Sequence, residues 1–173
     1  FEPDPHNVHW LQKNVQINNY TCVKVFPVAL TDENGEATFY PGKICAWGSL
    51  FYSPYASASD KEPFTVKTRR LDSVLEEEGI KSIDVIKIDV EGADLLVLKG
   101  AERTLTDSKN VRLFMDIDVW HLNEVAKVLE FLTSCGFKIY SLRKKLEPVK
   151  SVDDLRISHR IIHRQIYATK TEP

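Results

Sequence analysis

Apolar and polar residues recur along this chain in two periods, near 3.6 and at 2, and the two periods take turns. Val8, Leu11 and Val15 follow Asp4 and Pro5 at helical spacing. Asp is a good N-cap and Pro a good first helical residue, so a helix is predicted over roughly residues 5–18. Val23–Leu30 reads as a strand, Asn34–Gly35 as a tight turn and Glu36–Tyr40 as the returning run of a hairpin-like excursion. Thr65–Arg69 predicts a short strand, and Leu71–Glu78 a helix stopped by Gly79. Residues 83–89 predict a strand, 93–105 a helix and Val111–Ile117 a buried strand. Leu122, Val125, Leu129 and Leu132 share one face of a helix from His121 to Ser134 that ends near Gly136. Phe137–Leu142 and roughly 160–169 read as two closing strands. Strands alternating with helices predict an α/β fold with a mainly parallel sheet. The exception is residues 41–62, a long loop of Pro, Gly and Ser carrying Trp47, Phe51, Tyr52 and Tyr55. Loops of that length in compact domains are usually functional or disordered.

The strand over 83–89 ends in Lys87–Ile88–Asp89–Val90–Glu91–Gly92 and feeds a helix. In open α/β sheets ligands bind outside the carboxyl ends of the strands, so Asp89 and Glu91 stand where a ligand is expected. A period of two puts Val85, Lys87, Asp89 and Glu91 on one side of a strand that otherwise reads as buried. Buried charges are tolerated when paired or functional. Two readings stay open: carboxylates that serve a ligand, or a Lys87–Asp89 ion pair that only holds the sheet end together.

The 173 residues predict one domain, 1–173, with chain enough for a real core. A hydrophobic content of 43% and a charged content of 28% are ordinary for a globular protein. A net charge of −2 with only short basic clusters, Arg69–Arg70 and Arg143–Lys145, argues against nucleic acid as a partner. Three cysteines without metal-ligand spacing predict no structural zinc and a reducing, cytoplasmic setting. No run reaches transmembrane length. The chain opens at Phe1 and its only methionine is Met115, so it reads as a trimmed segment of a longer protein.

Several blocks occur in a set order: Phe1–Glu2–Pro3–Asp4–Pro5, Lys13–Asn14–Val15, Pro27–Val28–Ala29–Leu30–Thr31–Asp32, Asn34–Gly35 and Arg70–Leu71–Asp72. They lead into Ile83–Asp94 and Val97–Leu98–Lys99–Gly100–Ala101. Over about residues 1–118 the chain resembles the FkbM family of S-adenosylmethionine-dependent methyltransferases, with Lys87–Gly92 as the most specific block. The resemblance implies a Rossmann-like class I methyltransferase sheet, mostly parallel with an antiparallel closing strand. It implies S-adenosyl-L-methionine as cofactor and a small-molecule hydroxyl, on a sugar or another metabolite, as acceptor. Glu2 matches the acid that hydrogen-bonds the cofactor's ribose, with Pro3 beside it; an acid at that point is the physical solution for gripping a diol. Ala29, Leu30 and Asp32 match the segment along the adenine. Asp89 matches the acid near the methyl donor and acceptor, and Glu91 belongs to the same signature; both are candidate catalytic residues. Asp116, His121 and Trp47 are candidate acceptor contacts.

The sequence departs from the family pattern in two ways. Its seven glycines form no Gly-x-Gly, so the first strand and the glycine-rich loop after it are absent. Such a unit needs roughly 30 residues. On the resemblance it lies next to strand 83–89, which is therefore expected to present an open edge. Asp116 and Asp118 also stand where the family usually has Glu and His, leaving His121 to supply an imidazole. Asp89, Glu91 and Asp116 offer an alternative as oxygen ligands for Mg²⁺ or Ca²⁺, but the ligand count is unconvincing, so no metal is assigned. A reading from a different class also remains: a non-catalytic Rossmann-like module that binds a partner through the aromatic loop 41–62.

Overall fold

The computed structural model describes residues 1–52, 59–117, 122–142, 145–155 and 164–172. Helix α1 (Pro5–Ile17) is capped as expected: Asp4 accepts the His6 amide at 2.8 Å and Pro5 occupies the first turn. Its predicted apolar face is not covered, however. Val8 is buried, but Leu11 remains 41% exposed.

The expected strand Val23–Leu30 shrinks to β1 (Ala29–Leu30). Pro27 has no N–H to give a ladder, and the Val28 amide turns back to the Phe26 carbonyl. The hairpin-like excursion is also corrected. Strand β2 (Gly35–Phe39) does not return onto β1, because β3 (Phe64–Arg69) lies between them. Strand β3 pairs parallel with β1 and antiparallel with β2, making a three-stranded sheet.

Helix α2 (Leu71–Glu77) stops ahead of Gly79 and leads to β4 (Val85–Ile88). The helix predicted over 93–105 is broken into α3 (Asp94–Gly100) and α4 (Glu102–Asp107). The break has two causes. A Cβ at position 100 would lie 2.0 Å from the Thr31 carbonyl oxygen, so glycine lets the helix end press onto the exit of β1. Then the Asp72 carboxylate, 6% exposed, accepts the Arg103 and Thr104 amides at 3.0 Å and caps a new helix start.

The second sheet adds β5 (Arg112–Ile117), β6 (Lys138–Leu142), β7 (Leu146–Pro148) and β8 (Arg164–Thr169), in the order β4-β5-β8-β6-β7. Helix α5 (Leu122–Ser134) buries Val125, Leu129 and Leu132 against it, as the spacing predicts. The sheet is mixed: β4, β5 and β6 run in one direction, while β8, inserted between β5 and β6, runs against both as the expected antiparallel closing strand, and β7 folds back on β6. The fold is mixed α/β. Its main core joins α2–α5 to the sheet through fully buried side chains such as Leu98, Leu105, Leu113, Met115 and Ile166. No helix among the described residues is long and apolar enough to cross a membrane.

Strand β4 is an edge strand, and this changes the environment of its charges. Val85 is 53% exposed, and exposure alternates along Val85, Lys87 and Asp89 against Ile86 and Ile88. The open edge expected at this strand is present, and the face that carries Lys87 and Asp89 is exposed as well.

Candidate functional site

A cleft of about 440 Å³ opens between the two sheets, bounded by residues 1–7, the segment 28–30, β4 and its following turn, and a strap over 46–50. Its volume falls within the range of small-molecule sites. The lining is largely apolar, with Phe1, Val28, Leu50 and Ile86 among it. Three carboxylates, those of Glu2, Asp89 and Glu91, and one ammonium, that of Lys87, stand in it.

Glu2 reaches the cleft because its backbone is tied down. Its amide donates to the Phe26 carbonyl at 3.1 Å, and Phe1 stacks on Phe26 with ring centres 4.9 Å apart. Its Oε1 accepts the Asp4 amide at 2.8 Å. Burial pushes the Glu2 carboxyl above its ordinary 4.5, outweighing the hydrogen bonds from the Asp4 amide and the Asn7 side chain that favour the charged form. A half-buried carboxylate held up in this way gains from further donors, such as a vicinal diol.

Asp89 leaves the carboxyl end of β4. Lys87 Nζ donates to it at 3.1 Å and to the Ile88 carbonyl at 3.2 Å. Their side chains are 51% and 56% exposed, so this is a solvated pair and not a buried one. Glu91 follows in a left-handed turn, with φ +50 at Glu91 and φ +96 at Gly92. Left-handed backbone is uncommon for a residue with a Cβ and concentrates at functional turns. The turn is held from outside by Ser49, whose hydroxyl donates to the Glu91 carbonyl at 2.8 Å.

The structure thus brings Glu2, Pro3, Ala29, Leu30, Asp89 and Glu91 to one cleft, from segments far apart in the chain. Four expected site residues stand elsewhere or outside the described residues. Asp32 does not line the cleft; its carbonyl accepts Arg70 Nη1 at 2.6 Å instead. Trp47 ends a short 3-10 turn (Cys45–Trp47) and is 38% exposed off the lining, although its neighbours Ala46 and Gly48 line it. Asp116 lies in β5 level with Asp89, since Ile88 sits opposite Met115, but it is not in the lining either. His121, Asp118 and Tyr55 lie outside the described residues. Among the described residues no three His, Cys, Asp or Glu side chains converge as a metal site. Arg70 and Asp72, quoted above for the resemblance, turn out to brace the scaffold: Arg70 also donates to the Lys99 carbonyl at 3.1 Å. Sequence reasoning missed Phe1, Asn7, Leu50 and Ser49. A serine in a loop of serines carries no signal until the carbonyl it serves is known.

Comparisons with known proteins identify the family. A family model described as Methyltransferase FkbM domain matches residues 1–139. The 2-O-methyltransferase NoeI of Sinorhizobium fredii is 35% identical over 121 residues, covering 63% of this chain and 49% of that protein. The hexuronic acid methyltransferase AglP of Haloferax volcanii is 31% identical over 105 residues, covering 61% of this chain and 41% of that protein. The chain thus spans somewhat under half the length of these relatives. The crystal structure of Methyltransferase FkbM from Methylobacillus flagellatus matches 96% of this chain and 35% of its own with a TM-score of 0.55 and 17% identity, a likeness of fold.

Proposed function

The chain belongs to the FkbM methyltransferase family, and from that premise we propose that it forms part of an S-adenosylmethionine-dependent methyltransferase that methylates a hydroxyl group on a sugar. The observation that carries this reading is the convergence of Glu2, Pro3, Ala29 and Leu30 from one side, and Asp89 and Glu91 from the other, on a single cleft.

The cleft suits the cofactor on two physical grounds. Its ionised lining is mainly negative, complementary to a sulfonium cation. Its half-desolvated Glu2 carboxylate accepts the hydroxyl donors of a ribose, while Ala29 and Leu30 offer apolar surface to a base. When bound, S-adenosylmethionine supplies a methyl group on a cationic sulfur. The chain's own residues then have modest work: exclude water, hold the acceptor in line and receive its proton. Asp89 stands at the open end of β4, where a carboxylate oxygen accepts a hydroxyl proton or orients the lone pair behind it. Glu91, one turn residue away, is the second candidate for that role. The sugar assignment draws on the hexuronic acid named for the Haloferax relative.

The test is direct. Calorimetry of the full-length protein with S-adenosylhomocysteine measures the cofactor site, and its transfer of radiolabelled methyl from S-adenosylmethionine to a panel of methyl glycosides, uronates included, measures the reaction. Binding with transfer supports the reading; no binding defeats it. One observation favours a second reading: Ile44, Phe51 and Tyr52 on the 41–62 loop are 50%, 48% and 70% exposed. A partner-binding module predicts capture of a macromolecule with no cofactor affinity.

A further inference from the structure

Ser49 is 2% exposed, yet it sits in a stretch of otherwise accessible loop. Its hydroxyl both donates and accepts. It donates to the Glu91 carbonyl at 2.8 Å, 42 residues away in sequence, and accepts the Phe51 amide at 3.0 Å. Its backbone is equally fixed: the Tyr40 amide donates to the Ser49 carbonyl at 2.8 Å and the Ser49 amide to the Tyr40 carbonyl at 3.0 Å. The residue before it is packed as tightly. A Cβ on Gly48 would lie 2.3 Å from the ring of Phe39, and Phe39 is itself buried with Ala29 and Val66 in the smaller core. A continuous line of contacts therefore runs from the three-stranded sheet through Phe39, Tyr40 and Ser49 to the carbonyl of Glu91.

That carbonyl belongs to Glu91, the left-handed residue between Val90 and Gly92 and itself one of the two candidate carboxylates. A non-glycine residue keeps such a conformation where its surroundings over-determine it. Ser49 reaches the Glu91 backbone from the strap, across the cleft. Ala46, Gly48, Ser49 and Leu50 also line the cleft that Asp89 and Glu91 line. The strap and the acidic turn are thus two walls of one cavity, joined through the buried Ser49 hydroxyl.

We propose that Ser49 is a positioning residue for methyl transfer: its bond to the Glu91 carbonyl fixes the Asp89–Glu91 turn against the strap and so sets where the acceptor hydroxyl meets its carboxylate. The inference rests on the methyltransferase reading above. Small displacements of a catalytic group cost up to about 100-fold in rate. Ser49→Ala removes the bond and keeps the backbone ladder to Tyr40, so the fold is expected to survive.

The experiment compares wild type, Ser49→Ala and Ser49→Thr with labelled S-adenosylmethionine and the methyl glycoside panel. Hydrogen exchange is followed over residues 49–51 and 90–93. The expected result for Ser49→Ala is a kcat lower by about 10–100-fold, S-adenosylhomocysteine affinity within about twofold of wild type, and faster exchange at both ends of the lost bond. Ser49→Thr keeps the hydroxyl and recovers kcat and protection together. Ser49→Ala with wild-type kcat overturns the inference while leaving the methyltransferase reading intact. So does a Ser49→Ala that loses cofactor affinity and kcat in equal measure, since that is a general loss of structure. A wild type that transfers no methyl to any panel member defeats the underlying reading and this inference with it. Unchanged exchange at 90–93 in Ser49→Ala overturns the clamp regardless of activity.

Discussion

Asp89→Asn separates chemistry from scaffolding, and the structure sets both magnitudes. The scaffolding term is small. At the observed 3.1 Å from Lys87 Nζ, two unit charges attract by about 1.3 kcal/mol in bulk water, before the cost of ordering two side chains and screening by salt. With both side chains about half exposed, the net contribution falls in the usual range of about 0–1 kcal/mol for surface pairs. A buried ammonium left alone would have cost about 3–5 kcal/mol, but β4 is an edge strand and Lys87 keeps its water. Asparagine also retains an oxygen for Lys87 Nζ. The substitution should therefore leave the melting temperature nearly unchanged. The chemical term is large by contrast. A carboxylate that orients or deprotonates the acceptor contributes about 10²–10⁴ in kcat, equivalent to about 3–5 kcal/mol of barrier. Turnover and melting temperature measured on one preparation give the answer, with S-adenosylhomocysteine titration to verify that the cofactor site is intact. A variant with normal turnover refutes the catalytic assignment of Asp89, whatever its stability. Activity abolished by chelator and restored by Mg²⁺ would instead indicate an oxygen-ligated metal.

Glu2→Ala should weaken cofactor binding by about 1–3 kcal/mol in calorimetry, the cost of a hydrogen bond to a charged group; equal affinity removes Glu2 from the site. Glu2 also predicts a pH signature. Because burial raises its folded pKa above 4.5, the folded chain holds this proton more tightly than the unfolded chain. That stabilisation is complete below 4.5 and is lost as pH rises through the raised value. Glu2→Gln, which does not ionise, should melt with wild type at about pH 4 and above it toward neutral pH; a gap independent of pH contradicts the desolvated carboxylate. Gly100→Ala places a Cβ 2.0 Å from the Thr31 carbonyl oxygen and should lower stability in urea unfolding by about 1–3 kcal/mol or more, as overpacking against an unyielding backbone does.

Local chemistry was legible wherever one side chain acts on its own segment. Asp4 and Pro5 start α1, Gly79 and Gly136 follow the ends of α2 and α5, and Val125, Leu129 and Leu132 face the core. Pairing partners were not legible in the same way. Period two announces a strand but not its direction, so β8 between β5 and β6 and the third partner β3 between β1 and β2 could not be read from spacing. Glycine was read as a turn former, whereas Gly100 serves a close approach between a helix and a carbonyl from another sheet. The family block placed Glu2, Asp89 and Glu91 on one cleft, but Asp32 and Trp47 depended on where single side chains point after the backbone turns, and both stand off it.

The two walls of the cleft are held by different means, and the difference bears on function. On the floor side, Arg70 joins the Asp32 and Lys99 carbonyls while Asp72 gathers the Arg103 and Thr104 amides and the Thr104 hydroxyl. These charge-assisted bonds, with Gly100 pressed on Thr31, fasten β1 to α3 and α4 redundantly, so losing one leaves several. Ala29 and Leu30 inherit that rigidity. On the strap side, the Ser49 hydroxyl, a neutral donor, holds the Glu91 carbonyl. A neutral hydrogen bond contributes about 1 kcal/mol net, comparable with the cost of holding Glu91 left-handed, about 1–3 kcal/mol. The floor is thus held redundantly, whereas the Ser49 bond and the cost of the Glu91 turn are close to each other in size. Substitutions in the floor should be felt first as stability, and substitutions in the strap first as rate, which is the asymmetry that the Gly100 and Ser49 variants measure between them.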